Sequence, residues 1–459
     1  MANKANLIQQ IEHTLAFLEG VLPLANVHMV DYFNKNVFLD STYISEDIRQ
    51  ECLSNGIKNT INTIFEQKTN HMQHLHQFIS KSRALTLKNT LLCLSLNEFT
   101  DKLKLLGSDD ISNIKLDIFM SSKKSHEVEI LSGVAAAIQN VSKTTHLIDI
   151  GDGKGYLSSM LALNYKIPIL GIDASQVNTD GAVNRANKLS KVWNGVVTNT
   201  KSRETSIDLY KQITKYVDLD VNLSQLVSNI FLEKPLGPIS LGLVGLHTCG
   251  NLAPTCLKLF SQKSDIKTIC NVGCCYHHLT EYPKNRNSGQ DLNIGFPLSQ
   301  FLTNKQCHIG RGARMIAAQS VERILSKKER PSKTIFYRSL LEVLINQKAK
   351  NCKNREVGRF RKPCENFVEY VRKASARINL DLGMTDEQIN AFYIKYQHRM
   401  DEMDLFYLLR ALVAPVVETL ILLDRLLFLV EQGFEKSFVV YLFDAAISPR
   451  CYGIVAIKS

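Results

Sequence analysis

Glycine and proline are scarce in this 459-residue chain, at 23 and 11 residues, and no segment is built from only a few residue types. That excludes a collagen-like, low-complexity or mostly disordered protein. The chain also lacks an apolar run of the roughly 20 residues needed to cross a bilayer. The nearest, Leu405–Val430, is interrupted by Arg410, Glu418, Asp424 and Arg425 and broken by Pro415, a pattern that predicts two buried helices. The first twenty residues carry Glu12 and Glu19 and have no apolar centre, unlike a secretory leader. No C-x-x-C pair is present, and eleven cysteines is an odd number for a disulfide framework. Reduced thiols, metal ligands or catalytic groups are the remaining roles. These absences lead us to expect an intracellular protein, cytoplasmic or nuclear, with no membrane partner.

What is present suits a folded chain, with 45% hydrophobic and 22% charged residues. From Leu7 to about Leu105 the apolar residues recur at helical spacing, as in Leu7, Ile8, Ile11, Leu15 and Leu18. We expect an all-helical N-terminal domain over 1–108, a packing element or the seat of a protein partner. Beyond Ile138 short apolar runs alternate with helical stretches: 146–150, 168–173, a weaker one at 192–197, 239–247 and 266–273. Unalternating runs separated by helices predict parallel strands buried on both faces. Two closely spaced runs, 437–443 and 451–457, flank Pro449 and must pair antiparallel. This inventory predicts an α/β fold, the seven-stranded sheet of class I (Rossmann-like) methyltransferases. Its core would run over 109–304 and be completed by the hairpin 437–459. Two insertions stand out, a polar helical stretch around 200–236 and a long helical segment over 305–436.

The segment 149–158, DIGDGKGYLS, lies where the first parallel strand turns into a helix. Gly151, Gly153 and Gly155 allow positive φ and close approach of backbone to a ligand, and the helix start offers free N–H groups. The spacing is GxGxG and not the GxGxxG of a dinucleotide site. Asp149 suits a ligand carrying an ammonium, and Asp173, ending the next strand, suits a pair of ribose hydroxyls. S-adenosylmethionine fits best, with a degenerate site or a nicotinamide cofactor as alternatives. Asp152 places a second carboxylate inside the turn.

The strands ending near 247 and 273 carry His247, Thr248 and Cys249 on one tip and Cys274, Cys275, Tyr276, His277 and His278 on the other. If the two are sheet neighbours, both tips face the ligand crevice. Four readings compete. A histidine, best His277, deprotonates a hydroxyl acceptor in a pocket lined by His247, Cys249 and Cys275. A thiolate attacks a base. The cysteines and histidines bind a metal. Or the cysteines are simply small buried apolar groups. We expect no metal, because adjacent cysteines do not readily ligate one zinc and no C-x-x-C accompanies them.

Taken together, MSSKKSHEV (120–128), DIGDGKGYLS (149–158), GLHTCGNLAP (245–254) and VGCCYHHLTE (272–281) resemble the methyltransferase-like protein 25 family. That family includes a relative named for a ribosomal RNA adenine dimethylase domain. More distantly, the motifs are similar to tRNA 2′-O-methyltransferases of the acceptor stem. The resemblance implies transfer of a methyl group from S-adenosylmethionine to RNA, with a ribose hydroxyl favoured as acceptor. It also implies an active-site edge at Lys124 and Glu127, on the helix that leads into the first parallel strand. A protein methyltransferase, or a binding module that keeps the fold without turnover, are the alternatives.

Charge is distributed unevenly. The chain has a net charge of +11, and residues 305–362 alone hold 16 Lys and Arg against 4 Asp and Glu. The remainder is close to neutral. Lys348, Lys350, Lys353, Arg355, Arg359 and Arg361 are therefore candidate RNA contacts, each phosphate neutralised adding a salt-dependent increment to affinity.

Overall fold

A computed structural model describes residues 3–109, 120–196, 206–231, 237–281, 293–350, 352 and 355–458. Its contacts divide the chain into two compact units. One comprises residues up to Leu15, Leu85–Gly310 and Val416 onwards, and the other comprises Ala16–Ala84 and Arg311–Pro415.

The first unit is built on eight strands: β1 Cys93–Ser95, β2 His146–Ile150, β3 Ile169–Asp173, β4 Tyr210–Thr214, β5 Leu241–Cys249, β6 Ile266–Cys274, β7 Ser437–Tyr441 and β8 Tyr452–Ile457. Their order in the sheet is β1-β7-β8-β6-β5-β2-β3-β4. All neighbours are parallel except β8, which runs antiparallel to both β6 and β7. Strand β2 is wholly buried, and its run of Leu147, Ile148 and Ile150 explains why no alternation shows in the sequence. This is the class I methyltransferase fold. The chain leaves β2 toward β3 on one side and returns to β5 on the other, so the carboxyl ends of β2 and β5 border a topological switch point.

Three expectations need correction. An eighth strand, β1, pairs with β7, and three residues are too few to show a period of two. The third parallel strand is not 192–197, because residues to Val196 continue the helix Gln176–Val196. There Leu189 and Trp193, four residues apart, pack against Val128, Met160 and Leu163. The true strand, β4, lies inside the stretch expected to be helical. It is an edge strand whose only buried residue is Tyr210, so it lacks the apolar run of its neighbours. Finally, Leu405–Val430 is one helix, Met400–Glu431, continuous through Pro415. Burial of Val413, Ala414, Val416 and Val417 outweighs the missing proline N–H. Two of its buried acids in the sheet unit are partnered: Tyr276 donates to Glu418 at 2.8 Å, and Asp424 accepts from Leu298 N, Ser299 N and Ser299 Oγ. No described helix is long and apolar enough to cross a membrane.

The second unit is helical, and its boundaries cut across the segments expected from the sequence. Residues 85–108, with β1, group with the sheet, while Ala16–Ala84 share a core with the insertion. Phe33 makes edge contacts with Phe336 and Tyr396 at 5.6 and 5.2 Å, and Tyr32 lies 5.4 Å from Phe406. Neither stretch alone supplies both faces of that cluster.

Gly155 shows how tightly the glycine turn is built. Its φ is +70°, and a Cβ there would collide with the Tyr210 hydroxyl and lie 2.9 Å from Ala182 Cβ. Gly155→Ala should therefore cost at least the 1–3 kcal/mol of a left-handed non-glycine residue. A urea titration checks this, and wild-type stability in the variant would show that the turn opens freely.

Candidate functional site

A cavity of about 480 Å³ opens at the switch point, lined by Asp149, Gly151, Asp152, Gly153, Lys154, Tyr156 and Leu157 after β2 and by Leu246 and His247 from β5. Met120, Ser121, Lys124 and Val128 close it from the helix Ser122–Ser142 and its cap. The volume suits a small molecule. Of the residues singled out from the sequence, Asp149, Gly151, Gly153, Lys124 and His247 share this cavity.

Three glycines at positive φ make the turn, and β3 holds it down. Gly151 N and Asp152 N donate to Ile172 O at 2.8 and 3.2 Å, and Gly153 N donates to Asp173 Oδ2 at 3.0 Å. Asp173 Oδ1 accepts from Ser175 N and Asn178 Nδ2. Asp173 thus braces the turn and is not itself part of the cavity wall.

Asp152 does not point its carboxylate freely into the turn. It packs over Gly171, where any Cβ would collide with it, and accepts a hydrogen bond from the Tyr210 hydroxyl. The Ser158 hydroxyl lies 2.7 Å from Asp152 Oδ1 and 3.0 Å from Asp149 Oδ2. One hydroxyl proton cannot serve two carboxylates at once, so the pair is disfavoured as two full charges. Burial, then the charge of Asp152, pushes the Asp149 carboxyl well above the usual carboxylate range. Asp149 Oδ1 is buried without a hydrogen-bond partner among the described residues, although its residue lines the cavity. Tyr210 and Ser158 were not singled out from the sequence. Ser158 lies within the quoted turn motif, whereas nothing local marks Tyr210.

His247 occupies a β-bulge. The pairing of β5 with β6 slips between Leu246 and Thr248, and His247 takes φ +68°, unusual for a side chain with a Cβ. Its Nε2 lies 3.1 Å from Glu127 Oε2. Glu127 is fully buried and also accepts from Ser448 Oγ at 2.7 Å, with Lys124 Nζ at 3.2 Å and Lys123 Nζ at 3.6 Å. Burial alone would raise this carboxyl, but the His247 bond and charge, Lys124 and Ser448 outweigh it and hold it down at about 2. Glu127 therefore acts on the cavity through His247 and Lys124 and does not line it. With Nε2 engaged by Glu127, a neutral His247 presents Nδ1 as its acceptor.

The remaining candidates lie elsewhere. Cys249, Cys275 and His277 are not in the cavity lining. Cys249 Sγ is 3.0 Å from Cys274 Sγ, which is 3.7 Å from Cys275 Sγ, and the His277 and His278 rings are 4.1 Å apart. The hydrogen bond from Cys274 pulls the exposed Cys249 thiol down to about 6. Cys274 was left out of the sequence candidates and belongs with the other two cysteines. In the helical unit Lys348 and Lys350 are exposed. Arg355 is bound to Glu342 and, at 2.8 Å, to Asn346, so its charge is already matched. Arg359 and Arg361 border a second cavity of about 840 Å³. Lys353 lies outside the described residues.

The Glu127 charge sets an acid-range prediction. Its folded value lies below its unfolded one of 4.5, so its stabilising contribution is complete above that pH and lost as pH falls toward about 2. At neutral pH Glu127→Gln should melt below the wild type. The gap should narrow steadily in thermal melts taken from pH 4.5 downward, and a gap independent of pH would assign the loss to packing alone.

A family model described as a methyltransferase domain matches residues 123–282, which span the turn, the His247 bulge and the cysteine cluster. The mouse protein named probable methyltransferase-like protein 25 is 27% identical, over 98% of this chain and 96% of its own. The human protein of the same name is likewise 27% identical over 98% and 96%. The motif resemblance, the sheet order and these matches agree: the chain carries a methyltransferase domain and is a relative, along nearly its whole length, of the probable methyltransferase-like protein 25 proteins.

Proposed function

We propose that the chain transfers a methyl group from S-adenosylmethionine to RNA, and the single observation that carries the cofactor is the unpartnered Asp149 Oδ1 beside the glycine turn. An ammonium needs such an acceptor, and Lys124, which lines the same cavity, suits the carboxylate that accompanies it. Bound there, the cofactor supplies a methyl group on a positively charged sulfur. Gly151 and Gly153 let it approach the backbone, and Asp173 braces that turn from β3. His247, positioned by Glu127, is the group we assign to take the proton of a hydroxyl acceptor, in preference to His277, because His247 lines the cavity. Alignment of acceptor and methyl group supplies much of the rate.

Support for RNA comes from the cavity of the helical unit. Arg338, Arg359, Arg361, Lys362 and Arg410 line it with Phe360, Tyr370 and Tyr407, and no Asp or Glu is among the lining residues described. Arg410 is 3% exposed, and its Nη2 donates to the Ala25 carbonyl at 3.0 Å. Its Nε has no partner among the described residues. Cations flanked by aromatic rings suit phosphates and stacked bases.

Two measurements test these assignments. Burial and the neighbouring Asp152 favour the neutral form of Asp149, whereas an arriving ammonium favours the charged form, so binding should release protons. Calorimetric enthalpies of S-adenosylmethionine binding should then differ between buffers of different ionisation enthalpy, and affinity should rise with pH. Asp149→Asn should abolish the proton release and weaken binding, whereas no binding by the wild type at millimolar cofactor would overturn the cofactor reading. For RNA, replacing Lys348, Lys350, Arg359 and Arg361 together by Gln should weaken binding to a single-stranded RNA and flatten the log–log salt slope by about 3 units if all four contact phosphate. An unchanged slope would remove RNA from this surface.

A further inference from the structure

The tips of β5 and β6 gather three thiols that the methyl-transfer reading leaves unused. Cys249 pairs directly across from Cys274 at the end of the two strands, beyond the register slip at His247. Successive residues of a regular strand point to opposite faces, so Cys274 and Cys275 would normally diverge. They do not, because Cys275 takes a left-handed backbone with φ +52°. That conformation is costly for a residue with a Cβ, and here it turns the Cys275 thiol back beside its neighbour. Gly250, at φ +53°, makes the matching turn after Cys249, with no room for a Cβ against His278. The three Sγ atoms lie within 4.8 Å of one another.

We propose that Cys249, Cys274 and Cys275 form a binding site for a thiophilic divalent metal ion, zinc. The donors are all sulfur, which selects zinc over magnesium or calcium. Zinc–sulfur bonds of about 2.3 Å in a tetrahedral site place the sulfurs about 3.8 Å apart. The Cys274–Cys275 separation of 3.7 Å already meets that spacing, and the Cys249–Cys274 separation of 3.0 Å needs to open by less than an ångström. Adjacent cysteines argue against a shared ion only while the backbone stays extended, and at Cys275 it does not. The protein supplies three ligands, and water completes the fourth position. Binding displaces the thiol protons into solvent. Cysteines elsewhere in the sheet unit make a useful contrast: Cys256 and Cys270 are singly buried among apolar groups and lie outside any such cluster. An ion at this point would tie the two strand tips together two residues beyond His247, fixing the bulge that aims it. Its role would be positioning.

The proposal is independent of the RNA reading and is tested without activity. The full chain, purified without chelator, should contain about one zinc per molecule by elemental analysis. Cadmium replacement should produce thiolate-to-metal charge-transfer absorption in the ultraviolet. Cys249→Ser, at an exposed position, should lose at least most of the bound metal while keeping the wild-type circular dichroism spectrum. Cys364→Ser, outside the cluster, should retain it. A wild-type chain that remains metal-free after equilibration with zinc would overturn the site, and so would undiminished zinc in a folded Cys249→Ser variant. A disulfide between Cys249 and Cys274 in the freshly purified protein, found by mass spectrometry of alkylated peptides, would overturn it as well.

Discussion

The burial of two carboxyls beneath the glycine turn is the constraint on which the methyltransferase site depends. Asp149 lies in the wholly buried β2, Asp152 lies in the turn, Ser158 lies on the helix Tyr156–Tyr165, and Tyr210 begins β4. The Ser158 hydroxyl lies between the two carboxyls, and the Tyr210 phenol donates to Asp152. Two fully ionised carboxylates at that depth would repel strongly and lack solvation, so both carboxyls are pushed up from the usual range. One oxygen of Asp149 is left uncommitted at the cavity among the described residues. The glycines follow from the same constraint. Gly155 makes room for the Tyr210 hydroxyl and Gly171 makes room for Asp152, so glycines on two different segments answer one polar cluster.

A second buried acid organises the opposite wall. Glu127 collects Lys123, Lys124, His247 and Ser448, drawn from the helix before β2, the bulge of β5 and the loop before β8. Its charge is retained because it is surrounded by donors and cations, whereas Asp149 is driven toward the neutral form by burial and a neighbouring acid. The cavity therefore has an acid wall that can give up a proton and a histidine wall held by a fixed anion. That asymmetry suits a site that receives a cationic ligand on one side and a hydroxyl acceptor on the other.

The helical unit poses the opposite electrostatic problem. Its cavity gathers cations without lining carboxylates, and the buried Arg410 leans on a carbonyl where a paired arginine would find an acid. Burial lowers its pKa to about 10, still far above neutrality, so the charge persists. Arg338 and Arg355 show the contrast, since both bind Glu342 and share its charge.

Much of this was legible in the sequence, for identifiable reasons. A wholly buried parallel strand such as β2 announces itself as an apolar run, and the Gly151–Gly155 spacing marks a ligand turn because glycine tolerates its backbone most readily. Strands β1 and β4 were not legible, because three residues have no period and an edge strand need not be apolar. Pairing also escaped the sequence. Whether Asp152 blocks the turn depends on Tyr210, 58 residues later, and whether Cys274 and Cys275 converge depends on one left-handed backbone angle. The sequence favoured His277 over His247 as the base, and only the bulge, Glu127 and the cavity wall bring His247 forward. Composition and local spacing determine which segments become buried strands and which turns admit a ligand. Contacts across long stretches of chain decide which side chains meet, because they depend on how the elements pack and not on the residues that flank them.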